Sequence, residues 1–591
     1  MKIQFCGATT GVTGSCHLIT TANHKILLDC GQFQGGKAQE ELNYEPFPFD
    51  PAEIEYLVLS HAHIDHCGRI PLLVKRGFKG QIYCTDATAD LLGIMLMDSG
   101  HIHEQEAEWQ NRKNSRAGRP LVEPLYTELE AEESLKFVKP VLYNQLVELN
   151  DEVRICFNDA GHILGSGEIE IFVSEKEEGS SDVHATKIVF SGDLGVMDRP
   201  ILRNPTIIKK ADYVIMETTY GNRNHPDNAM DVNHLVDIIC ETAARGGNSV
   251  IPSFAVGRTQ ELIFELNKIY EDPTDPRQEQ LSKIKVYVDS PMAAAATEVF
   301  KNNAQVFDEE TKDYISKGEN PLEFPNLKFT QSTEESQWLN IDKEPKVIIS
   351  ASGMCEAGRI RHHLKHNLWD ARNSIIFVGY QAEGTLGRCL IEGEKEVTLF
   401  GESIQVNAKI HNLEGFSGHA DMNGLLAWLK GFQKAPKQLF LVHGEPEVKL
   451  EFAKTVKEQV GFDAIPVNVN SEYELEEGGG VVTMKEAIAD AVDEKRVNEA
   501  RENLYNVRRR LEDILYNANL NVNNGTDPEK LARINNTIME LEKSVINLGS
   551  IISESDESEN VELTEEQIAE LRAAREENIQ QNKKEKKSAK K

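Results

Sequence analysis

The densest chemistry in the sequence is His61-Ala62-His63-Ile64-Asp65-His66, three imidazoles and a carboxylate in six residues. They follow directly on an apolar run at residues 54–60 (IEYLVLS), which reads as a strand. In an extended loop, residues 61, 63 and 65 fall on one side and His66 on the other. One stretch can thus feed two metal positions. A solvated polar loop is the bland alternative, but His and Asp at this density after a strand have few structural uses. A binuclear site needs more ligands than this loop holds. His162, in Gly161-His162-Ile163-Leu164-Gly165-Ser166, and Asp193, in Ser191-Gly192-Asp193, are candidates, because flanking glycines let the backbone turn sharply toward a metal. Each alone is weak: a lone His is more often a satisfied structural residue, and a lone Gly-Asp a turn. Their order and strand-end setting lift them. The nine cysteines are scattered and form no CxxC pair. Reduced thiols are therefore expected, and nitrogen and oxygen should hold any metal.

The elements that must position these groups share one grammar, an apolar strand followed at once by a polar residue. Residues 187–190 run into Ser191-Gly192-Asp193, residues 212–216 end at Glu217, and residues 438–442 end at His443. Residues 285–288, 346–349 and 374–378 are similar, and helical patterns lie between, at 233–244 and 258–270. This mixture through residue 470 predicts α/β layers, in which sites gather at strand ends on a rigid frame. After Gly478-Gly479-Gly480 the pattern changes. Leu504, Val507, Leu511, Ile514 and Ala518, then Ile534, Ile538, Leu541, Val545 and Leu548, step by threes and fours, with Asp527-Pro528 between them as a helix start. A helical hairpin with one apolar seam per helix is predicted, followed by a third helix from Thr564 and a frayed Lys-rich end.

At 591 residues the chain is too long for one core, so two or three domains are expected. Its 64 Lys+Arg against 96 Asp+Glu leave a net charge of −32, which argues against passive, whole-surface attraction to nucleic acid or anionic lipid. No run of 18 apolar residues predicts a membrane span, and residues 1–29 lack a signal-peptide pattern, so a cytoplasmic location is expected.

The order HAHIDH, GHILGS, SGD resembles the metallo-β-lactamase superfamily of zinc hydrolases. The resemblance implies a four-layered αβ/βα sandwich and two zinc ions. It assigns His61, His63 and His162 to one zinc, Asp65 and His66 to the second, and Asp193 to both. Three later stretches, Met216-Glu217-Thr218-Thr219-Tyr220-Gly221, Phe416-Ser417-Gly418-His419-Ala420-Asp421 and Leu441-Val442-His443-Gly444-Glu445, look like the motifs of the β-CASP nucleases. About two hundred residues between Glu217 and His419 then form an inserted domain. Its segments PSFAVGR at 252–258, VDSPM at 288–292, ASGMCEAGRIRHHLKHNL at 351–368 and GYQAEGTLG at 379–387 also resemble that family. The resemblance covers roughly residues 1–470. It divides the chain into a metallo-β-lactamase part at 1–205, an inserted α/β β-CASP domain at 206–405, a returning part with the RNA-metabolising motif at 406–475, and a C-terminal helical extension at 476–591. His443 in the last motif favours RNA over DNA.

That family implies a ribonuclease in which two zincs activate a hydroxide, His443 completes the second zinc, and Asp65, Glu217 and His419 are catalytic. His419 would protonate the leaving 3′ oxygen, with Glu217 orienting it. Products would carry 5′-phosphate and 3′-hydroxyl ends. An endonuclease is the leading reading, with a 5′-to-3′ exonuclease and a lactone or thioester hydrolase as alternatives. Arg258, Ser352, Arg359, His362, His363 and Lys365 are candidate RNA contacts, against the alternative of helix caps and surface pairs. Phe254, Tyr220 and Tyr380 could stack bases, although aromatics at strand ends are more often core. His101 and His103 beside Glu104–Glu108 read as a solvated helix face. The C-terminal helices suit a homodimer. Residues 471–591 carry a net −9, leaving −23 on residues 1–470, whereas residues 352–390 carry a net +2. RNA is therefore expected in a narrow basic cleft beside the zincs.

Overall fold

Short apolar strands assemble into two facing sheets. In the computed structural model, the structure describes residues 1–175, 184–226, 228–382, 384–413, 415–476 and 482–483. These fall within one compact unit, Met1–Glu502. The helical seams, the third helix and the Lys-rich end expected at the C-terminus lie outside the described residues.

The first sheet has seven strands, in the order Glu472–Glu474, Lys2–Phe5, His17–Thr20, Lys25–Leu28, Tyr56–Val58, Gln81–Thr85 and Val138–Val141. The second runs Ala464–Pro466, Gln438–Val442, Tyr213–Glu217, His184–Phe190, Gly167–Glu175, Val153–Asp159 and Val147–Glu148, with Val482–Thr483 paired beside His184–Phe190. Side chains alternate across each strand. Ile26 and Leu28 join Phe5, Phe157, Ile188, Phe190 and Phe440 in the core between the sheets. Leu27, Leu57 and Ile82 point the other way, into the core shared with the helices Ile70–Lys75 and Asp86–Ala117. On the far side, Val189, Val214, Leu439 and Leu441 pack with the helices Met422–Lys430 and Pro446–Gln459. Both faces of each sheet are thus apolar, which is why the strands read as continuous hydrophobic runs. The result is the four-layered sandwich.

A third sheet belongs to the inserted segment. Its six strands are all parallel, in the order Leu327–Phe329, Lys285–Val288, Lys346–Ser350, Ser249–Pro252, Ser374–Phe377 and Lys409–Asn412. The helices Asn228–Ala244 and Arg258–Glu271 cover one face, and Ile360–Asn367 and Leu386–Ile391 the other.

Two local outcomes differ from the sequence pattern. The expected strand at 54–60 is paired only over Tyr56–Val58, because beyond it the Ser60 amide leaves the ladder and donates to the Asp29 carboxylate at 2.8 Å. The helix Asp86–Ala117, 32 residues long, extends well beyond the helix face expected at residues 101–108. Only its first half is steadily apolar, with Leu91, Leu92, Met95 and Leu96 buried, so no full-length seam announces it.

Candidate metal centre

The ligand run leaves the end of Tyr56–Val58 in extended form as far as His63 (φ −64°, ψ 146°), and Ile64–Cys67 then closes one helical turn. The amides of His66 and Cys67 donate to the His63 carbonyl at 2.9 Å each. This corrects the expected extended loop. Alternation ends at His63, and the turn swings Asp65 and His66 into a separate set of donors.

Two sets result. His61, His63, His162 and Asp193 bring ligand atoms within 4.8 Å of one another, as do Asp65, His66 and His443. His63 Nδ1 lies 3.1 Å from both His61 Nε2 and His162 Nε2. Asp193 Oδ2 is 3.5 Å from His61 Nε2, 3.6 Å from His162 Nε2 and 3.2 Å from His66 Nε2, so one oxygen faces both sets. His66 Nε2 and His443 Nε2 are 3.2 Å apart, with Asp65 Oδ2 at 3.8 Å and 3.5 Å from them.

The outer nitrogens of four of these rings are already committed. His162 Nδ1 donates to the Gly418 carbonyl at 2.9 Å, which makes its Nε2 a lone pair. His66 Nδ1 meets the Asp29 carboxylate at 2.7 Å, His61 Nδ1 meets Ser60 Oγ at 3.0 Å, and His443 Nδ1 meets Thr219 Oγ1 at 3.1 Å. Lone pairs aimed at one another cannot hydrogen-bond. Asp193 Oδ1 is also buried without a hydrogen-bond partner. This donor set, all nitrogen and carboxylate oxygen, fits a bound metal cation.

Electrostatics agree. Burial holds His61 and His162 well below the usual imidazole range and His63 at about 4, so these rings are neutral. Burial also opposes charge on His66, but Asp193, Asp65 and Asp29 outweigh it and lift that ring well above its usual range. Burial would raise Asp193, yet His443, His66 and His419 hold it well below the carboxylate range.

Beside these donors, His419 Nδ1 sits 3.2 Å from Glu217 Oε1. Glu217 is fully buried at the end of Tyr213–Glu217 and accepts from the Leu194 amide at 2.7 Å and from Thr219 Oγ1 at 2.5 Å. Burial pulls the His419 ring down, but Glu217 and Asp193 outweigh it and raise it to about 9. Tyr220 lies 6.1 Å from His419 and 6.3 Å from Tyr380, ring to ring, and the exposed Arg223 guanidinium stands 4.6 Å over Tyr220.

The six candidate RNA contacts are each engaged within the protein. Arg258 is buried and ion-paired to Glu261. His363 is buried against Asp289 Oδ2 at 2.5 Å, and Arg359 gives one nitrogen to Asp289 Oδ1 at 2.7 Å and another to the Gln331 carbonyl at 2.8 Å. Lys365 pairs with Glu402 at 2.6 Å, His362 stacks on Phe400 at 4.4 Å, and Ser352 Oγ donates to the Ala357 carbonyl. Arg361, Arg372 and Arg388 are engaged by the Glu356 carbonyl, Asp370 and Glu392. The net +2 of residues 352–390 is therefore spent within the protein, because each cation has a partner on its own or a neighbouring element. Phe254 packs against Gly353 and Gly379. His101, Glu104 and Glu128 also approach one another, on exposed helix surface, with Glu104 accepting from the Glu128 amide at 3.4 Å.

Sequence reasoning missed Asp29, Ser60, Thr219, Arg199 and Arg223. Asp29 directly follows the strand Lys25–Leu28, so the strand-then-polar grammar applied to every strand would have found it, whereas Ser60 was hidden in the predicted strand 54–60.

Known proteins resemble this chain in sequence. Three family descriptions match in order: the metallo-beta-lactamase superfamily over residues 9–142, the Beta-Casp domain over 259–390, and the Zn-dependent metallo-hydrolase RNA specificity domain over 403–469. Ribonuclease TTHA0252 of Thermus thermophilus is 36% identical over 454 residues, spanning 77% of this chain and 95% of that one. An RNase J-like protein of Methanocaldococcus jannaschii is 31% identical, again over 77% and 95%. The transcription termination factor FttA of Methanosarcina mazei is 30% identical over 78% of this chain and 70% of its own. A likeness of this extent, carried through all three patterns, means that the chain belongs to the β-CASP ribonucleases of the metallo-β-lactamase superfamily, a family of metal-dependent hydrolases.

Proposed function

We propose that the protein is a zinc-dependent endoribonuclease that leaves 5′-phosphate and 3′-hydroxyl ends. The observation that carries this reading is Asp193 Oδ2 lying 3.2–3.6 Å from imidazoles of both donor sets, beside a His419–Glu217 pair. His61, His63 and His162 would hold one zinc, Asp65, His66 and His443 a second, and Asp193 both. Two bound zincs supply a more acidic water and a counter-charge for the phosphate.

The chain's own residues do the rest. As water, having given up one proton to solvent, adds to phosphorus, the bond from phosphorus to O3′ breaks and that oxygen needs a proton. His419 donates it. Its Nδ1 is held by Glu217, which leaves Nε2 to carry the transferred proton, and a ring raised to about 9 is charged at neutral pH. Thr219 links the two parts, giving its hydroxyl to Glu217 while meeting His443 Nδ1. Asp65 orients beside His443 and His66. Arg223, exposed over the buried Tyr220 ring that neighbours His419, suits a phosphate.

The reading includes the domain boundaries at residues 205, 405 and 475, a reducing compartment such as the cytoplasm, and dimerisation through the C-terminal helices. Among the described residues no helix is long and apolar enough to cross a membrane. The test uses RNA labelled at one end and carrying a 5′-triphosphate, with and without chelator. Internal fragments that vanish on chelation and return with zinc are expected. Mononucleotides released from the 5′ end of monophosphorylated RNA would replace the endonuclease with the exonuclease. No cleavage of RNA beside rapid ester hydrolysis would remove both.

A further inference from the structure

Outside the donor sets, one buried charged cluster touches the centre from the inserted domain. Arg199 Nη2 is 2.5 Å from Glu261 Oε2, and Arg258 pairs with the same carboxylate oxygen. All three side chains are at most 6% exposed. Glu261 and Arg258 belong to the helix Arg258–Glu271, which packs on the third sheet, whereas Arg199 lies just after Asp193.

The other hand of Arg199 reaches the metal centre. Its Nη1 donates to the carbonyl of His162 at 3.2 Å and to that of Gly418 at 3.4 Å. The Gly418 carbonyl is also the acceptor for His162 Nδ1. Arg258 holds the same segment from the other side, its guanidinium 5.6 Å from the Phe416 ring centre. The segment tolerates little displacement: a Cβ on Gly418 would lie 3.3 Å from both Arg199 Nη1 and His162 Cε1. Stability alone is a poor reason for two arginines on one buried carboxylate. Desolvating such a triad costs several kcal/mol per ion, and apolar replacements often match or exceed it.

We propose that Arg199, Glu261 and Arg258 form a latch by which the inserted domain positions the His419 loop against the His162 loop, which the other members of its donor set hold in place. None of the three touches substrate, and they act through Gly418 and Phe416 on the residue that follows. The proposal rests on RNA hydrolysis with His419 as proton donor. Coupling these loops to the inserted domain means that RNA seated against that domain meets an aligned donor.

The experiment compares two phosphodiesters, RNA and a p-nitrophenyl nucleotide ester. The nitrophenolate leaves without a proton, so its release is insensitive to His419 alignment. Arg199→Lys keeps the charge beside Glu261 but lacks the fork that spans carboxylate and carbonyls. Expected are an unchanged metal content, a kcat on RNA lowered about 30-fold with KM changed less than about 2-fold, and turnover of the nitrophenyl ester within about 3-fold of the parent. Equal losses on both substrates, or no loss on RNA, overturn the latch. If Arg199→Lys does not fold, the same comparison is made in Arg199→Met/Arg258→Met/Glu261→Leu, where a folded protein with parental RNA turnover overturns it. A parent enzyme that cleaves the ester but not RNA removes the underlying function instead.

Discussion

His419 is held at Nδ1 by a fully buried carboxylate and stands partly open to solvent, which separates its role from those of the metal donors. His419→Ala should keep its metal, because no donor set includes this ring, and should lower RNA turnover by about 10²–10⁴-fold. Elemental analysis beside a single-turnover assay checks both halves, and parental turnover would take His419 out of the mechanism. A different residue sets a pH effect on stability. Glu265, on the helix of the latch, is pushed up to about 7 by burial, with Glu261 and Glu310 adding to it and Lys268 opposing. Its folded pKa is above the unfolded value. The folded state therefore binds the proton more tightly, and this contribution is complete below about pH 4.5 and is lost as pH rises through about 7. Glu265→Gln preserves the neutral shape. Its stability should match the parent below about pH 4.5, exceed it increasingly toward pH 7, and level off about 3 kcal/mol higher near pH 8. Denaturant melts of both proteins across that range measure the gap, and a constant gap would refute the assignment.

Placement of the donors is the work of one helical turn, Ile64–Cys67, and of what it packs on. The turn lies directly against Gly31, where a Cβ would come within 1.6 Å of the Asp65 carbonyl oxygen. The Gly31 amide meanwhile donates to Ser15 and the Cys30 amide to His66, both at 2.8 Å. Gly31→Ala must therefore push the turn outward. It should weaken metal at the Asp65–His66–His443 set by at least about tenfold, more than at the His61–His63–His162 set. Stepwise metal titration by calorimetry resolves the two; equal weakening would show that the turn does not place the second set. The same turn explains how much of the centre was legible in the sequence. The donors stood out because metal ligands cluster at strand ends within a few residues of one another. Their supports did not, because each is brought in from far along the chain. Asp29 reaches His66 across 37 residues, Thr219 reaches His443 across 224, and Arg199 reaches Gly418 across 219. The extended-loop reading failed at Asp65 because a helical turn and an extended loop differ only in backbone dihedrals, and HAHIDH carries no Gly or Pro to mark the change.

A chain of net charge −32 that acts on RNA must hold a polyanion without a broad basic surface. The five Lys and Arg of residues 352–390, expected to supply a cleft, are matched by Asp289, the Glu356 carbonyl, Glu402, Asp370 and Glu392. Attraction to phosphate then falls to the metals the donor sets would hold and to nearby cations, of which Arg223 is exposed over Tyr220, whose ring lies 6.1 Å from that of His419. Few phosphates are neutralised, so few counterions are released. For single strands the salt slope is about 0.7 per phosphate contact, so three contacts give a slope of log K against log salt of about −2. Arg223→Gln should make that slope shallower by about 0.7, weaken binding of all sequences alike, and leave the melting temperature unchanged. Fluorescence anisotropy with the His419→Ala protein, which binds without cleaving, gives the slope over a range of salt. A slope steeper than about −5 would mean that a wider basic surface carries the RNA, and an unchanged slope in Arg223→Gln would place the phosphate elsewhere. The acidic remainder has a function in this account. It repels RNA that approaches anywhere but the metal centre, so weak overall attraction and local selectivity come from the same charge distribution.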